Sequence, residues 1–284
     1  MQVATTIAEI RASVTQARAV GKTVGFVPTM GALHAGHVSL IQAAAERCDC
    51  VVVSIFVNPT QFGPGEDLEK YPRPLEKDLT ICEEYGVDIV FAPSRGEMYP
   101  RENLSWVTVD KVSEPLCGRF RPGHFRGVAT VCTKLFNIVG ADVAFFGQKD
   151  AQQVAVIQRM VADLNLPLEI VVCPTVREPD GLAMSSRNQY LSPQERREAT
   201  MIYRALQKSA ELIQAGETDA AKIADQMREV LRQAPGLKVE YVSIVDAESL
   251  EDLEQVRGRV LVAVAGRLGS TRLIDNIVVD AGAR

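Results

Sequence analysis

Short apolar runs rich in β-branched residues alternate with stretches whose apolar positions recur every three or four residues. Thr23–Pro28 reads as a strand, followed by a glycine turn and a helix over about Gly36–Arg47. Cys50–Val57 is a nearly continuous apolar run, the mark of a strand covered on both faces. A helix over about Pro74–Tyr85 leads to a strand at Asp88–Ala92. Val128–Val139 has helical periodicity, Asp142–Phe146 reads as a strand, Ala151–Leu164 as a helix and Leu168–Cys173 as a strand. This order predicts a Rossmann-like α/β fold: a doubly wound, mostly parallel sheet with helices on both faces. Such a sheet binds ligands beyond the carboxyl ends of its strands.

After about Pro179 the pattern changes. Two long helical stretches, Pro193–Ala215 and Asp219–Gln233, precede three strand candidates at Val239–Asp246, Arg259–Ala265 and Thr271–Val279. Helices followed by adjacent strands predict a smaller C-terminal α+β domain. The expected boundary lies near residues 177–181, giving domains of residues 1–178 and 179–284.

Composition narrows the class. A hydrophobic content of 46% with 24% charged residues suits a globular protein with a full core. The net charge of −5 argues against a general nucleic-acid binder, so any polyanion site must be built locally. No apolar run approaches membrane-spanning length. Met1–Ala19 carries Glu9 and Arg11 in a helical pattern and lacks the apolar region of a signal peptide, so a cytoplasmic protein is expected. The six scattered cysteines form no C-x-x-C pair and read as unpaired thiols acting as small hydrophobes.

The stretch PTMGALHAGHVSL (residues 28–40) holds two of the three histidines, His34 and His37, at the strand-to-helix turn. A zinc reading lacks its third and fourth ligands. A core-histidine reading leaves Gly31 and Gly36 unexplained. A phosphate site uses all of them: glycines for close backbone approach, open N–H groups at the helix start, and imidazoles that donate to phosphate oxygens.

The H-x-G-H arrangement resembles the signature of the nucleotidyltransferase superfamily, and Met184-Ser185-Ser186-Arg187 looks like that superfamily's later serine-rich element. Four further stretches narrow the resemblance: VNPTQF (57–62), YPR (71–73), PGHFRG (122–127) and FGQKDAQQ (146–153). Together, in this order and over essentially the whole chain, they resemble the pantothenate synthetase (pantoate–β-alanine ligase) family. That family joins pantoate to β-alanine through a pantoyl adenylate, converting ATP to AMP and pyrophosphate.

The resemblance implies roles residue by residue. Met30, Gly31, Ala32, Leu33, His34, Ala35, Gly36 and His37 line the ATP site, with His37 as proton donor and His34 beside it. Gly147, Gln148, Lys149, Asp150, Val176, Met184, Ser185, Ser186 and Arg187 complete it, Val176 through its backbone. Lys149 is a point charge suited to phosphates, against the alternative of a solvated surface lysine. Asp150 has two readings, a Mg²⁺ ligand or a cap of the helix beginning at Ala151. Gln148 stands where the family commonly has Glu, which puts a charged ligand role there in doubt. Gln61 and Gln153 match the pantoate-binding glutamines, Gln61 also near β-alanine; as neutral amides they hold a hydroxy acid without competing for its charge.

Other residues stay open between two readings. Helix capping is the alternative for the two serines, and Leu116–Gly127 is either an exposed basic loop or a mobile cover over the phosphates. A homodimer is implied by the resemblance alone. Rival classes are a nucleotidyltransferase that stops after adenylylation, a tRNA-binding synthetase, which the lack of a basic C-terminal excess disfavours, and a nucleotide sensor that binds ATP without cleaving it.

Overall fold

The computed structural model describes residues 1–282. In chain order its strands and helices begin with β1 (Gln2–Ala4), α1 (Ile7–Ala19), β2 (Val24–Thr29), α2 (Ala35–Arg47), β3 (Cys50–Ile55), α3 (Leu75–Glu84), β4 (Ile89–Phe91) and α4 (Arg95–Met98). They continue with α5 (Cys117–Phe120), α6 (His124–Val139), β5 (Val143–Gly147), α7 (Ala151–Asp163) and β6 (Glu169–Cys173). The last part holds α8 (Pro193–Gln214), α9 (Ala220–Leu231), β7 (Leu237–Asp246), β8 (Arg259–Leu268) and β9 (Thr271–Asp280).

Two compact units result. The first comprises Met1–Val109, Arg121–Gly147 and Val156–Pro174; the second comprises Asp110–Phe120, Gln148–Ala155 and the chain from Thr175 onward. This is more interleaved than one cut between residues 178 and 179. Buried amides give the reason: Gln152 accepts from Cys117 N (2.9 Å) and donates to Val112 O (3.0 Å) and Pro115 O (2.7 Å), tying residues 112–117 to the start of α7.

In the first unit six parallel strands run in the order β1-β4-β3-β2-β5-β6. The expected α/β sheet is therefore present. β2 and β3 pair over their full length, and the apolar run of β3 is buried on both faces. From β2 the chain moves outward through β3 to β4, then returns to β5 on the other side of β2. The strand order thus reverses between β2 and β5, the place where open α/β sheets leave a ligand crevice at their carboxyl ends. β1 is an addition to the expected strands: at three residues on the sheet edge, it lies inside the helical pattern read for Met1–Ala19.

The second unit contains the antiparallel sheet β7-β8-β9, whose apolar face packs on α8 and α9 through Ile202, Leu206, Ile223, Met227, Val262 and Val264. The six cysteines are unpaired, and burial pushes the Cys82 and Cys132 thiols up to about 12, as small hydrophobes require.

Leu116–Gly127 is not an irregular loop. It contains α5 and the first turn of α6, which starts at His124, four residues before the expected Val128. Gly123 caps that start at φ 81°, a left-handed conformation that glycine adopts without strain. Arg121 donates to Glu66 through Nε (2.8 Å) and Nη2 (2.5 Å).

α6 also lies against the 3-10 turn Pro59–Gln61. A Cβ on Gly127 would fall 2.3 Å from Thr60 O and 2.7 Å from Gln61 Cα, so only glycine permits this approach. Gly127→Ala is therefore expected to cost about 1–3 kcal/mol by overpacking. Denaturant unfolding followed by circular dichroism should show the lowered midpoint; an unchanged midpoint would mean that α6 does not press on this turn.

Candidate active site

The turn after β2 is built by side chains that capture backbone N–H groups. Thr29 Oγ1 accepts from Gly31 N (3.1 Å). Asp78, 1% exposed on α3, accepts from Ala32 N with one oxygen and from Leu33 N with the other, each at 2.8 Å. Burial pushes its carboxyl pKa up, and the two N–H donors offset part of that. These bonds stabilise an unusual path, with φ 82° at Gly31 and 52° at Ala32. A side chain at position 31 would meet Asp78 at 2.9 Å.

The two histidines then form a reciprocal cap on α2. His34 Nδ1 accepts from Gly36 N (3.1 Å), and His37 Nδ1 accepts from His34 N (3.3 Å). The rings lie 4.2 Å apart, tilted by 45°. A nitrogen that accepts carries no proton, so each neutral ring carries its proton on Nε2, where it is a donor. This narrows one expectation. The N–H groups of Gly31, Ala32, Leu33, His34 and Gly36 are taken up by side chains, so the open backbone donors expected at this helix start are mostly engaged, and the imidazole N–H groups are the side-chain donors of the turn.

Gln61 belongs to the same unit and reaches the start of this turn, its Nε2 donating to Met30 Sδ at 3.2 Å. At 8% exposure it is a buried group, not part of the polar surface. Its Oε1 accepts from Asn58 Nδ2 (3.0 Å), and Asn58 Oδ1 in turn accepts from Tyr99 Oη (2.9 Å) and Thr60 Oγ1 (3.0 Å). Arg121 Nη1 lies 3.0 Å from His124 Nε2, and His124 Nδ1 lies 2.7 Å from Gln61 O. Arginine only donates, so His124 accepts at Nε2 and donates from Nδ1 to Gln61. Gly147 ends β5 beside β2.

The second unit holds the rest. Gln148–Asp150 is one 3-10 turn, with Lys149 Nζ 3.7 Å from Asp150 and their side chains 21% and 47% exposed. Gln148 Nε2 donates to Asn276 Oδ1 (3.0 Å); a carboxylate at 148 would set oxygen against oxygen there. Gln153 is half-buried on the first turn of α7, next to the strapping Gln152. Val176 and Met184 come together, Met184 N donating to Val176 O at 3.0 Å. Ser185 Oγ accepts from Arg187 N (3.3 Å) at the start of the 3-10 turn Ser186–Tyr190, a cap that leaves the role of its hydroxyl hydrogen open.

Asp150 suits one kind of metal ion. Among the described residues no three His, Cys, Asp or Glu side chains cluster to make a protein cage. Mg²⁺ needs none, since it binds through one or two carboxylates together with water and substrate phosphates.

Sequence reasoning assigns no role to Asn58, Asp78, Arg121 or Asn276. Asn58 lies within the VNPTQF stretch and Arg121 within the basic stretch Leu116–Gly127, so both are within its reach. Asp78 and Asn276 sit in ordinary-looking helix and strand patterns, and only the fold brings them to the turns they hold.

Comparison with known proteins gives the same reading over the full length. The family described as pantoate-beta-alanine ligase matches residues 2–278. A pantothenate synthetase of Acetivibrio thermocellus is 53% identical over 280 residues, covering 99% of this chain and 100% of the relative. The crystal structure of a pantothenate synthetase from Thermus thermophilus superposes with a TM-score of 0.93 at 46% identity, covering 98% of this chain and 99% of that one. A pantoate-beta-alanine ligase from Francisella tularensis, solved in complex with beta-gamma ATP and beta-alanine, matches at 35% identity with a TM-score of 0.79, covering 98% of this chain and 97% of its own. This chain belongs to the pantoate–β-alanine ligase family.

Proposed function

We propose that the protein condenses D-pantoate with β-alanine to pantothenate, using ATP and releasing AMP and pyrophosphate. The observation that carries this reading is the histidine cap at the carboxyl end of β2, inside a chain that matches the family from end to end. A pantoate carboxylate oxygen attacks the α-phosphorus of ATP, and pyrophosphate leaves. The amine of β-alanine then attacks the acyl carbonyl, loses a proton, and AMP leaves.

His34 and His37 meet the charge on the departing pyrophosphate through Nε2–H. With Nδ1 held by the backbone they act as hydrogen-bond donors; complete transfer of that proton would leave an imidazolate. Fixed donors aimed at developing charge are the effective form of such catalysis. Lys149 adds a cation at the phosphates, and Ser185, Ser186 and Arg187 add hydroxyls and a fork. Asp150 would hold Mg²⁺, which would supply Lewis-acid neutralisation of phosphate charge. Gln61 and Gln153 hold pantoate. One hydrogen of Gln61 Nε2 is engaged by Met30, and the other is a donor for a substrate oxygen.

The same reading makes the enzyme a cytoplasmic homodimer. Leu104 and Trp106, 83% and 40% exposed, support a covered surface. Among the described residues no helix is long and apolar enough to cross a membrane.

Purified protein given Mg²⁺, ATP, D-pantoate and β-alanine is expected to yield AMP and pantothenate in equal amounts by chromatography. ADP as product, or AMP release without pantoate, would overturn the assignment.

Lys149→Ala and His37→Ala should each slow pantoate-dependent exchange of pyrophosphate into ATP by roughly 10²–10³-fold, the scale of losing one fixed donor. A rate within about threefold of the parent returns that residue to a structural role.

Gln153→Ala should weaken pantoate binding about tenfold or more, since an unpaired polar substrate group costs about 1–3 kcal/mol and 1.4 kcal/mol is one decade. ATP binding should stay within about threefold. Calorimetric titration of each ligand separately decides it: equal losses would indicate a damaged fold, and no loss for pantoate would mean the glutamine does not touch it.

A further inference from the structure

β9 breaks its own apolar pattern. Between Ile274 and Ile277 stand Asp275 and Asn276, each 4% exposed. Asp275 has a local explanation: Arg177 pairs with it through Nη1 (2.6 Å) and Nη2 (3.0 Å) and lies over the Tyr203 ring at 3.9 Å. The amide of Asn276 is directed elsewhere. Its Nδ2 donates to two consecutive carbonyls, Gln148 O at 3.0 Å and Lys149 O at 2.9 Å, and its Oδ1 accepts from Gln148 Nε2 at 3.0 Å. Residue 148 is thus held by backbone and side chain together, and residue 149 by its backbone.

A single 3-10 turn is the least self-supporting of the regular elements. Lys149 stands in the middle of such a turn on a flexible stem, and a point charge acts only where it is aimed. A carboxamide is the one short side chain that offers two N–H donors and an acceptor at once. Aspartate would set an oxygen against both carbonyls, and alanine would leave them unpaired in a buried place.

We propose that Asn276 is a positioning residue for adenylation, holding the Gln148–Asp150 turn so that Lys149 meets the phosphates. The proposal rests on the reading of Lys149 as a phosphate-contacting group. Asn276 touches neither substrate nor reacting atoms; it acts through the turn.

The test is a double-mutant cycle on single-turnover formation of pantoyl adenylate, with enzyme in excess so that slow variants are still measured. The proteins are the parent, Asn276→Asp, Lys149→Ala and the combination, each checked by thermal melting. Asn276→Asp is expected to slow adenylation roughly tenfold or more beside an intact Lys149, but less than about threefold in the Lys149→Ala background, because coupled residues fail to add. If Asn276→Asp does not fold, Asn276→Ala takes its place in the same cycle. Equal losses in both backgrounds, or a folded Asn276 variant with parental rate, overturn the proposal. A parent that forms no adenylate overturns the ligase reading and the proposal with it; a slow Lys149→Ala beside a normal Asn276 variant overturns the proposal alone.

Discussion

Five of the six backbone N–H groups from Gly31 to Gly36 take side-chain partners in a place where neither helix nor sheet supplies them, and this requirement organises the first unit. A buried N–H without an acceptor costs about 1–3 kcal/mol. The chain meets the demand with Thr29, both oxygens of Asp78 and the two imidazoles. Asp78 has to be carried to the turn by α3, and its carboxylate remains buried because both oxygens are engaged there. The histidines have to sit three apart, the spacing of a capping box, in which each side chain reaches the other end of the first turn. The proposed chemistry and helix capping therefore ask for the same two residues.

That double use explains which parts of the site are legible in the sequence. H-x-G-H is visible because its residues are close in the chain and unusual in type. The parallel sheet is visible because the buried strand β3 reads as an unbroken apolar run. Asp78 is not, because an acidic residue near the start of a helix is expected on electrostatic grounds alone. Asn276 is not, because it lies 127 residues from the turn it holds. The periodicity places the start of α6 four residues late because Gly123, which its left-handed backbone favours, and Gly127, which the packing requires, are poor helix formers. Leu116–Gly127 reads as an open basic loop until Glu66 gives Arg121 a partner and Gln61 O gives one to His124.

Both units fix candidate site side chains by a second polar group rather than by packing alone. The orientation of a carboxamide is ambiguous in isolation, since its two ends are nearly isosteric but opposite in hydrogen-bonding sense. In the first unit, Tyr99 and Thr60 donate to Asn58 Oδ1, which turns Asn58 Nδ2 toward Gln61 Oε1, which leaves Gln61 Nε2 as the end that donates. In the second, the two carbonyls at 148 and 149 accept from Asn276 Nδ2, so its Oδ1 must face Gln148, and glutamine satisfies it where glutamate would not.

Neutral groups with a fixed hydrogen-bond sense suit this chemistry better than more charge would. Pantoate and ATP are anions and the protein carries a net charge of −5, so their attraction cannot come from the molecule as a whole. Cations crowded around the pantoate carboxylate would hold the ground state as firmly as the transition state, which lowers the energy of both and leaves the barrier unchanged. A glutamine amide would donate to that carboxylate without neutralising the nucleophile that must attack phosphorus. An Nε2–H held in place by a backbone cap strengthens its bond only as charge gathers on the leaving oxygens. A mobile cation such as Lys149 would then be best placed on a held turn, and the buried asparagine on β9 donates to two consecutive carbonyls of that turn.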